Sequence, residues 1–439
     1  VVAAFGDKAA KEAAFRAMPR VARTATDFFS FIDQYKALGG GFGIVARKGI
    51  EAWYQGKEVS QAAYQIIKYR QRDGWTHLDA MRLAHVHPRN EIESNLYAFA
   101  KFLAGKDAEF RSELLPEIAQ GFILAQGASS AKEAAKLITQ YNLPREAIPT
   151  QFLNEKVVWD ALLPGMGATA LVRNLGKMTS IGLIGANSNA TKFVEKQLSD
   201  AKFIQKGRMH PVTILNALEV YKRGRGVQGS LTWNPNGRVV DGLDSAFYAG
   251  FKNVVPTGKT FMLAIDISGS MDWQPCLGGF QITPRVAAAA MAMATAKIED
   301  DYLVTVFSSG TSWRSGHNSD GIEEVDVSPK QRLDGVMKSI DSMWAGGTDC
   351  ALPMMWAEKK NVDVDTFVVY TDNETWAGRK HPFEALKSYR KKVNPEAKLV
   401  VAGMTATDFT IADPSDAGMM DIAGFDSAAP DLIANFARG

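Results

Sequence analysis

The sequence of 439 residues predicts an α-helical repeat array followed by a doubly wound α/β domain. A chain of this length exceeds one ordinary core and divides into two or three domains. Its first part carries apolar residues at spacings of three and four with no alternating strand pattern, the mark of amphipathic helices. From Phe261 onward, short β-branched and aromatic runs alternate with helical stretches, which implies a parallel sheet covered on both faces. PTGK at 256–259 is the expected linker, dividing the chain into residues 1–258 and 259–439.

The helical stretches include KAAKEAAFRAMPRVARTATDFFSFIDQYKAL (8–38), SQAAYQIIKYRQR (60–72), IESNLYAFAKFLAG (92–105) and ATKFVEKQLSDAKFIQKG (190–207). GGGFG (39–43), HPRN (87–90) and NLPREAIP (142–149) break them. Helices of about 12 to 18 residues with short turns fit a degenerate array of HEAT type better than one compact bundle. In the second part the expected strands are FMLAIDI (261–267), DYLVTVFS (301–308), DTFVVYTD (365–372) and KLVVAGMT (398–405). The helices between them are expected over 283–299, 329–340, 351–360 and 382–392.

Composition narrows the function classes. Apolar residues make up 46% and charged residues 22%, which fits neither a disordered chain nor a membrane protein. No run approaches the roughly 18 apolar residues of a membrane span. Two cysteines, Cys276 and Cys350, and no signal-peptide pattern point to a reducing compartment, with the cytoplasm as the expected location. The net charge of +2 hides an asymmetry, about +11 over residues 1–260 and about −9 over 261–439. A basic half attracts polyanions such as nucleic acid and an acidic half can host divalent cations, although opposite charges also help two domains dock.

AIDISGSM (264–271) places Asp266, Ser268 and Ser270 where a buried strand ends. In a doubly wound sheet ligands bind outside the carboxyl ends of the strands. AGGTDC (345–350) adds Thr348 and Asp349, and TDNET (371–375) adds Thr371 and Asp372. Such oxygen donors suit a hard cation, Mg²⁺ first and Mn²⁺ or Ca²⁺ as alternatives. The order of parts resembles the metal-ion-dependent adhesion site of von Willebrand A domains, with Asp266, Ser268, Ser270, Thr348 and Asp372 as ligands. Ordinary strand-end turns with capping Ser and Asp are the plainer alternative.

In the helical part, YQIIKYRQRDGWTHLDAMRLAHVHP (64–88) is basic and aromatic. Lys68 and Arg72 are four apart, so a helix would project both from one face, with Arg70 elsewhere and His85 on the next helix. That face suits RNA recognised by shape and backbone, but a solvated charged face has the same spacing. Other motifs fall short. PTGKTF lacks the first glycine of a phosphate-binding loop and precedes its strand. His77, His85 and His87 have no cysteine nearby for a zinc site. The stretch around Ser268 is no nucleophile turn. A metal-dependent hydrolase would have only Asp349 and Glu374 as candidate bases.

Taken together, YRQRDGWTHLDAMRLAHVHP, ALLPGMGATALVRNLGKMTS (161–180), PTGKTFMLAIDISGSM, AGGTDCALPMMWA, VVYTDNETWAG and VAGMTATDFTIADPSDAGMMDIAGFD resemble the Ro ribonucleoprotein autoantigen family, in its bacterial branch. The resemblance covers essentially the whole chain. It implies a ring of HEAT-like helical repeats, the TROVE module, closed by a von Willebrand A domain. It further implies a non-enzymatic, monomeric protein that binds small noncoding Y RNA on its basic outer surface. The ends of misfolded or single-stranded RNA would enter the ring hole, and an exoribonuclease would be the partner in RNA quality control, processing and decay. By position, Lys68, Arg72 and His85 match the Y RNA contacts, and the five oxygen donors match the metal site. Val1 to Leu38 matches an internal part of the module, so the family's first helices are expected to be absent. The alternative class is a metal-dependent module binding a protein ligand, whose acidic side chain would complete the metal shell.

Overall fold

Capping chemistry sets where the helices of the first part begin. The side chain of Asp7 accepts from Ala10 N (2.8 Å) ahead of α1 (Lys8–Val21). Thr24 and Asp27 form a reciprocal capping box that starts α2 (Ala25–Ala37), so the expected single stretch over 8–38 is two helices. There follow α3 (Ile44–Gln55) and α4 (Val59–Lys68), a two-stranded antiparallel hairpin of β1 (Gln71–Arg72) and β2 (Trp75–Thr76), and α5 (His77–Ala84) behind a second capping box, Thr76 and Asp79. Next come α6 (Glu91–Leu103), α7 (Glu117–Gln126), α8 (Ala131–Tyr141) and α9 (Lys156–Leu162). The structure, a computed structural model, describes the chain apart from residues 278–280, 309–320, 342–346, 373–377, 379, 406–410 and 427 and the side chains at 2 and 341.

Two units follow from the packing, Val1–Met166 and Gly167–Gly439. In the first, helices pack on near neighbours in sequence: α1 on α3, α3 on α5, α4 on α7, α7 on α8 and α8 on α9. Aromatic side chains fill the core around α3. Phe28 stacks on Trp53 with ring centroids 4.2 Å apart, and Trp53 Nε1 donates to Ala22 O (2.6 Å), so the buried indole is satisfied.

The second unit opens with α10 (Ala168–Ser180), α11 (Asn189–Ser199), α12 (Ala201–Gly207), α13 (Pro211–Lys222) and α14 (Gly237–Gly250). Asp200 ends α11 and caps α12 through Lys202 N (2.9 Å), dividing the stretch expected over 190–207. The chain then enters β3 (Phe261–Asp266), α15 (Pro284–Ile298), β4 (Tyr302–Phe307), β5 (Ile322–Glu324), α16 (Leu333–Asp341), α17 (Leu352–Lys360), β6 (Thr366–Thr371), α18 (Pro382–Lys392), β7 (Lys398–Gly403), β8 (Met419–Ala423) and α19 (Ala429–Arg438). The sheet order is β5-β4-β3-β6-β7-β8, parallel except where β5 pairs antiparallel with β4. Every residue of β3 and β6 is buried, as expected of central strands covered on both faces. α15 packs between the sheet and α13, joining the last helices of the repeat part to the α/β part. Among the described residues no helix is long and apolar enough to cross a membrane.

Candidate functional site

Topology creates the first site. The connection leaving β3 leads to β4 on one side, and the one leaving β6 leads to β7 on the other, so the carboxyl ends of these adjacent strands open a crevice. Asp266 ends β3 and is wholly buried. Its Oδ1 accepts from Ser268 N (2.8 Å), and its Oδ2 accepts from the hydroxyls of Thr348 (3.0 Å) and Thr371 (2.9 Å). Ser268 Oγ and Ser270 Oγ lie 3.1 Å apart, within hydrogen-bond reach. Asp372 follows Thr371, half-buried, and its carbonyl accepts from Thr405 N (3.1 Å) and from the Thr405 hydroxyl.

Hydrogen bonds thus join Asp266, Ser268, Ser270, Thr348 and Thr371 into one cluster; Asp372 follows Thr371 in the chain, and Thr371, an oxygen donor of the TDNET stretch outside the five expected ligands, binds the Asp266 carboxylate directly. Burial pushes the Asp266 carboxyl up, against hydrogen bonds from Ser268, Thr371 and Thr348 that pull the other way. Among the described residues no Lys or Arg forms an ion pair with it. A buried carboxylate ringed by hydroxyls, with no Lys or Arg paired to it, fits a hard cation bound through oxygen. The donor set is hydroxyl-rich; among the described residues no group of three or more His, Cys, Asp or Glu is placed to hold a metal.

Asp349, the candidate base, has a local structural task. Its Oδ1 accepts from Ala351 N (3.0 Å), and Gly378, at φ +95°, packs so tightly on its carboxylate that a Cβ there would lie 2.3 Å from Oδ2. Glu374 lies outside the described residues.

The basic segment folds differently from the expected continuous helix. α4 ends at Lys68, and Arg72 sits on the hairpin, so the two do not share a helix face. Asp73 and Gly74 both take positive φ (52° and 77°), a primed two-residue turn that matches strand twist. Asp-Gly was the signal for this turn. Ser30 Oγ donates to Asp73 Oδ2 (2.6 Å) and Trp75 Nε1 to Asp33 Oδ1 (3.2 Å), which dock the hairpin on α2. Arg72 is exposed, with its Nε 3.4 Å from Asp73 Oδ1.

Lys68 is half-buried; its Nζ donates to Tyr64 OH (2.8 Å) and lies over the rings of Tyr64 and Tyr69 at 5.1 and 5.4 Å. Burial works to lower its pKa, but the Tyr64 hydrogen bond and nearby phenols and Glu146 outweigh it, and the net shift is upward. His85 is the exposed C-cap of α5 in the left-handed conformation (φ 51°). Among the described residues no hydrogen bond or ion pair joins any two of Lys68, Arg72 and His85. Arg70 does point elsewhere, donating to Glu146 O (2.8 Å) above the Phe122 ring. His77 is a core residue, with Nδ1 2.9 Å from Tyr54 OH.

Comparison with known proteins agrees along the whole chain. Residues 3–114 and 138–259 match the TROVE domain, and residues 260–437 match the Ro60 vWA domain. The chain is 40% identical to the RNA-binding protein RO60 of Deinococcus radiodurans, over 98% of its own length and 78% of that protein's. It is 34% identical to the RNA-binding protein RO60 of Caenorhabditis elegans, over 98% of its length and 73% of that protein's. The crystal structure of the Deinococcus radiodurans RO (RSR) protein superposes with a TM-score of 0.82 at 38% identity, covering 100% of this chain and 85% of that one.

Proposed function

Because this chain belongs to the Ro60 family, a TROVE region joined to a vWA domain, we propose that it is a non-enzymatic RNA-binding protein of a ribonucleoprotein. It binds a small noncoding Y RNA through Lys68, Arg72 and His85 and holds the ends of misfolded or single-stranded RNA. With an exoribonuclease as partner it assists RNA quality control, processing and decay in the cytoplasm, as a monomer within the particle. The observation that carries this reading is the state of Lys68. Its half-buried ammonium keeps its charge beside two tyrosines, and among the described residues no carboxylate ion-pairs with it. A phosphate supplies the missing anion, and the exposed Arg72 and His85 add donors. Titrating Y-type RNA across a salt series tests it. Lys68→Glu and Arg72→Glu together weaken binding at low salt and reduce the salt slope by about one for each phosphate left unneutralised. Unchanged affinity and slope would falsify the assignment of this face.

The buried Asp266 cluster supports a second, compatible activity. Asp266, Ser268, Ser270, Thr348 and Asp372 would hold Mg²⁺, with Mn²⁺ or Ca²⁺ as substitutes. When bound, the ion supplies a positive centre for an acidic side chain of a protein partner. The chain's own hydrogen bonds hold the hydroxyls around the Asp266 carboxylate.

A further inference from the structure

Ser268 is gripped from two sides. On the strand side its N–H donates to Asp266 Oδ1 (2.8 Å). On the helix side its carbonyl accepts from Arg285 Nη2 (3.2 Å) and from Met271 N (3.2 Å). Arg285 belongs to the first turn of α15 and is buried, with 7% exposure. Its Nη2 also approaches Ile267 O (3.5 Å), and its Nε donates to Asp272 Oδ2 (2.6 Å). One guanidinium thus spans the loop from Ile267 to Asp272, the segment carrying Ser268 and Ser270, while buried Met271 anchors the middle. A buried arginine is costly unless its donors are used, and only its planar fork reaches carboxylate and carbonyls together.

We propose that Arg285 is the positioning residue of the cation loop: by holding the Ser268 carbonyl and Asp272 it presents the Ser268 and Ser270 hydroxyls for ligation before any ion arrives. This rests on reading the Asp266 cluster as a cation site. Two effects compete. A nearby guanidinium repels a cation, whereas an outer group that orients ligands raises affinity by about 10- to 100-fold. The geometry favours orientation, because the guanidinium is engaged with the backbone carbonyls of Ile267 and Ser268 and with the Asp272 carboxylate, which offsets its charge.

The test is Mn²⁺ titration of the full chain, following free ion by electron paramagnetic resonance. Far-UV circular dichroism and urea midpoints in chelator serve as the folding control. Asp266→Ala removes the saturable site. Arg285→Met weakens it by about 10- to 100-fold with the fold intact. Arg285→Lys keeps the charge and still weakens it, because an ammonium cannot span the loop. Asp272→Asn gives a smaller loss. Equal or tighter binding by Arg285→Met, with the site abolished in Asp266→Ala, overturns the positioning role alone. If Arg285→Met does not fold, unchanged affinity in Asp272→Asn overturns it instead. A wild-type chain with no Mn²⁺ site sensitive to Asp266→Ala sinks the cation reading and this proposal together.

Discussion

His77 shows how one buried side chain ties folding to pH. It is wholly enclosed among Phe29, Trp53 and Tyr54. Burial lowers its pKa from 6.5 to about 3; carbonyls of Gln65 and Tyr69 pull the other way, and Lys57 lowers it further. Because the folded pKa is depressed, the unfolded chain binds the extra proton between about pH 6.5 and 3. Stability is therefore complete above 6.5 and falls with pH by about 1.4 kcal/mol per unit inside that window. Urea denaturation at pH 7 and 5 should show this loss, and His77→Gln should flatten it. An equal pH slope in the variant would place the titrating group elsewhere. The sequence cluster GWTHLDAMRLAHVHP could not separate His77 from His85 and His87, because whether a histidine is enclosed depends on residues such as Phe29 and Tyr54, far off in sequence.

At the scale of elements, close helix approach makes its own demand. A Cβ at Gly121 on α7 would lie 2.4 Å from Cβ and Cγ of Tyr141 on α8. Alanine gains roughly 1 kcal/mol of helix propensity there, but overpacking costs about 1–3 kcal/mol. Gly121→Ala should therefore lower stability by up to about 2 kcal/mol in urea denaturation; greater stability would show that α8 yields without cost. Most elements were legible in the sequence where their periodicity is long. The expected strands at 261–267 and 365–372 correspond to β3 and β6, and the helix at 382–392 to α18. The edge strands β5 and β8 were not: β5 is three residues long with two exposed glutamates, and β8 is a short MMDIA run interrupted by half-buried Asp421, so each carries too little pattern. Arg72 fell in the same gap. Lys68 and Arg72 have helical spacing, but Asp73-Gly74 favours a primed turn, and local turn chemistry won over a spacing of four.

At the scale of the whole molecule, the proposed RNA surface and the proposed cation site make separate predictions that chelation can measure. Removing divalent ions should abolish binding of an acidic protein partner by the Asp266 cluster and leave Y-type RNA binding within about twofold at constant ionic strength. Loss of RNA binding on chelation would mean that the ion supports the RNA surface itself. The sequence alone determined the helical and α/β parts, the family, and the residue types able to bind phosphate or a hard cation, because periodicity, charge and strand-end motifs are local properties of the chain. Only the tertiary structure decided that Thr371 and Thr348 share the Asp266 carboxylate, that Arg285 holds the loop beside it, and that Lys68 has tyrosines for company. Those pairings join residues up to 105 positions apart, and hydrogen bonds of about 3 Å across such separations are set by the register of packed strands and helices, which no local pattern encodes.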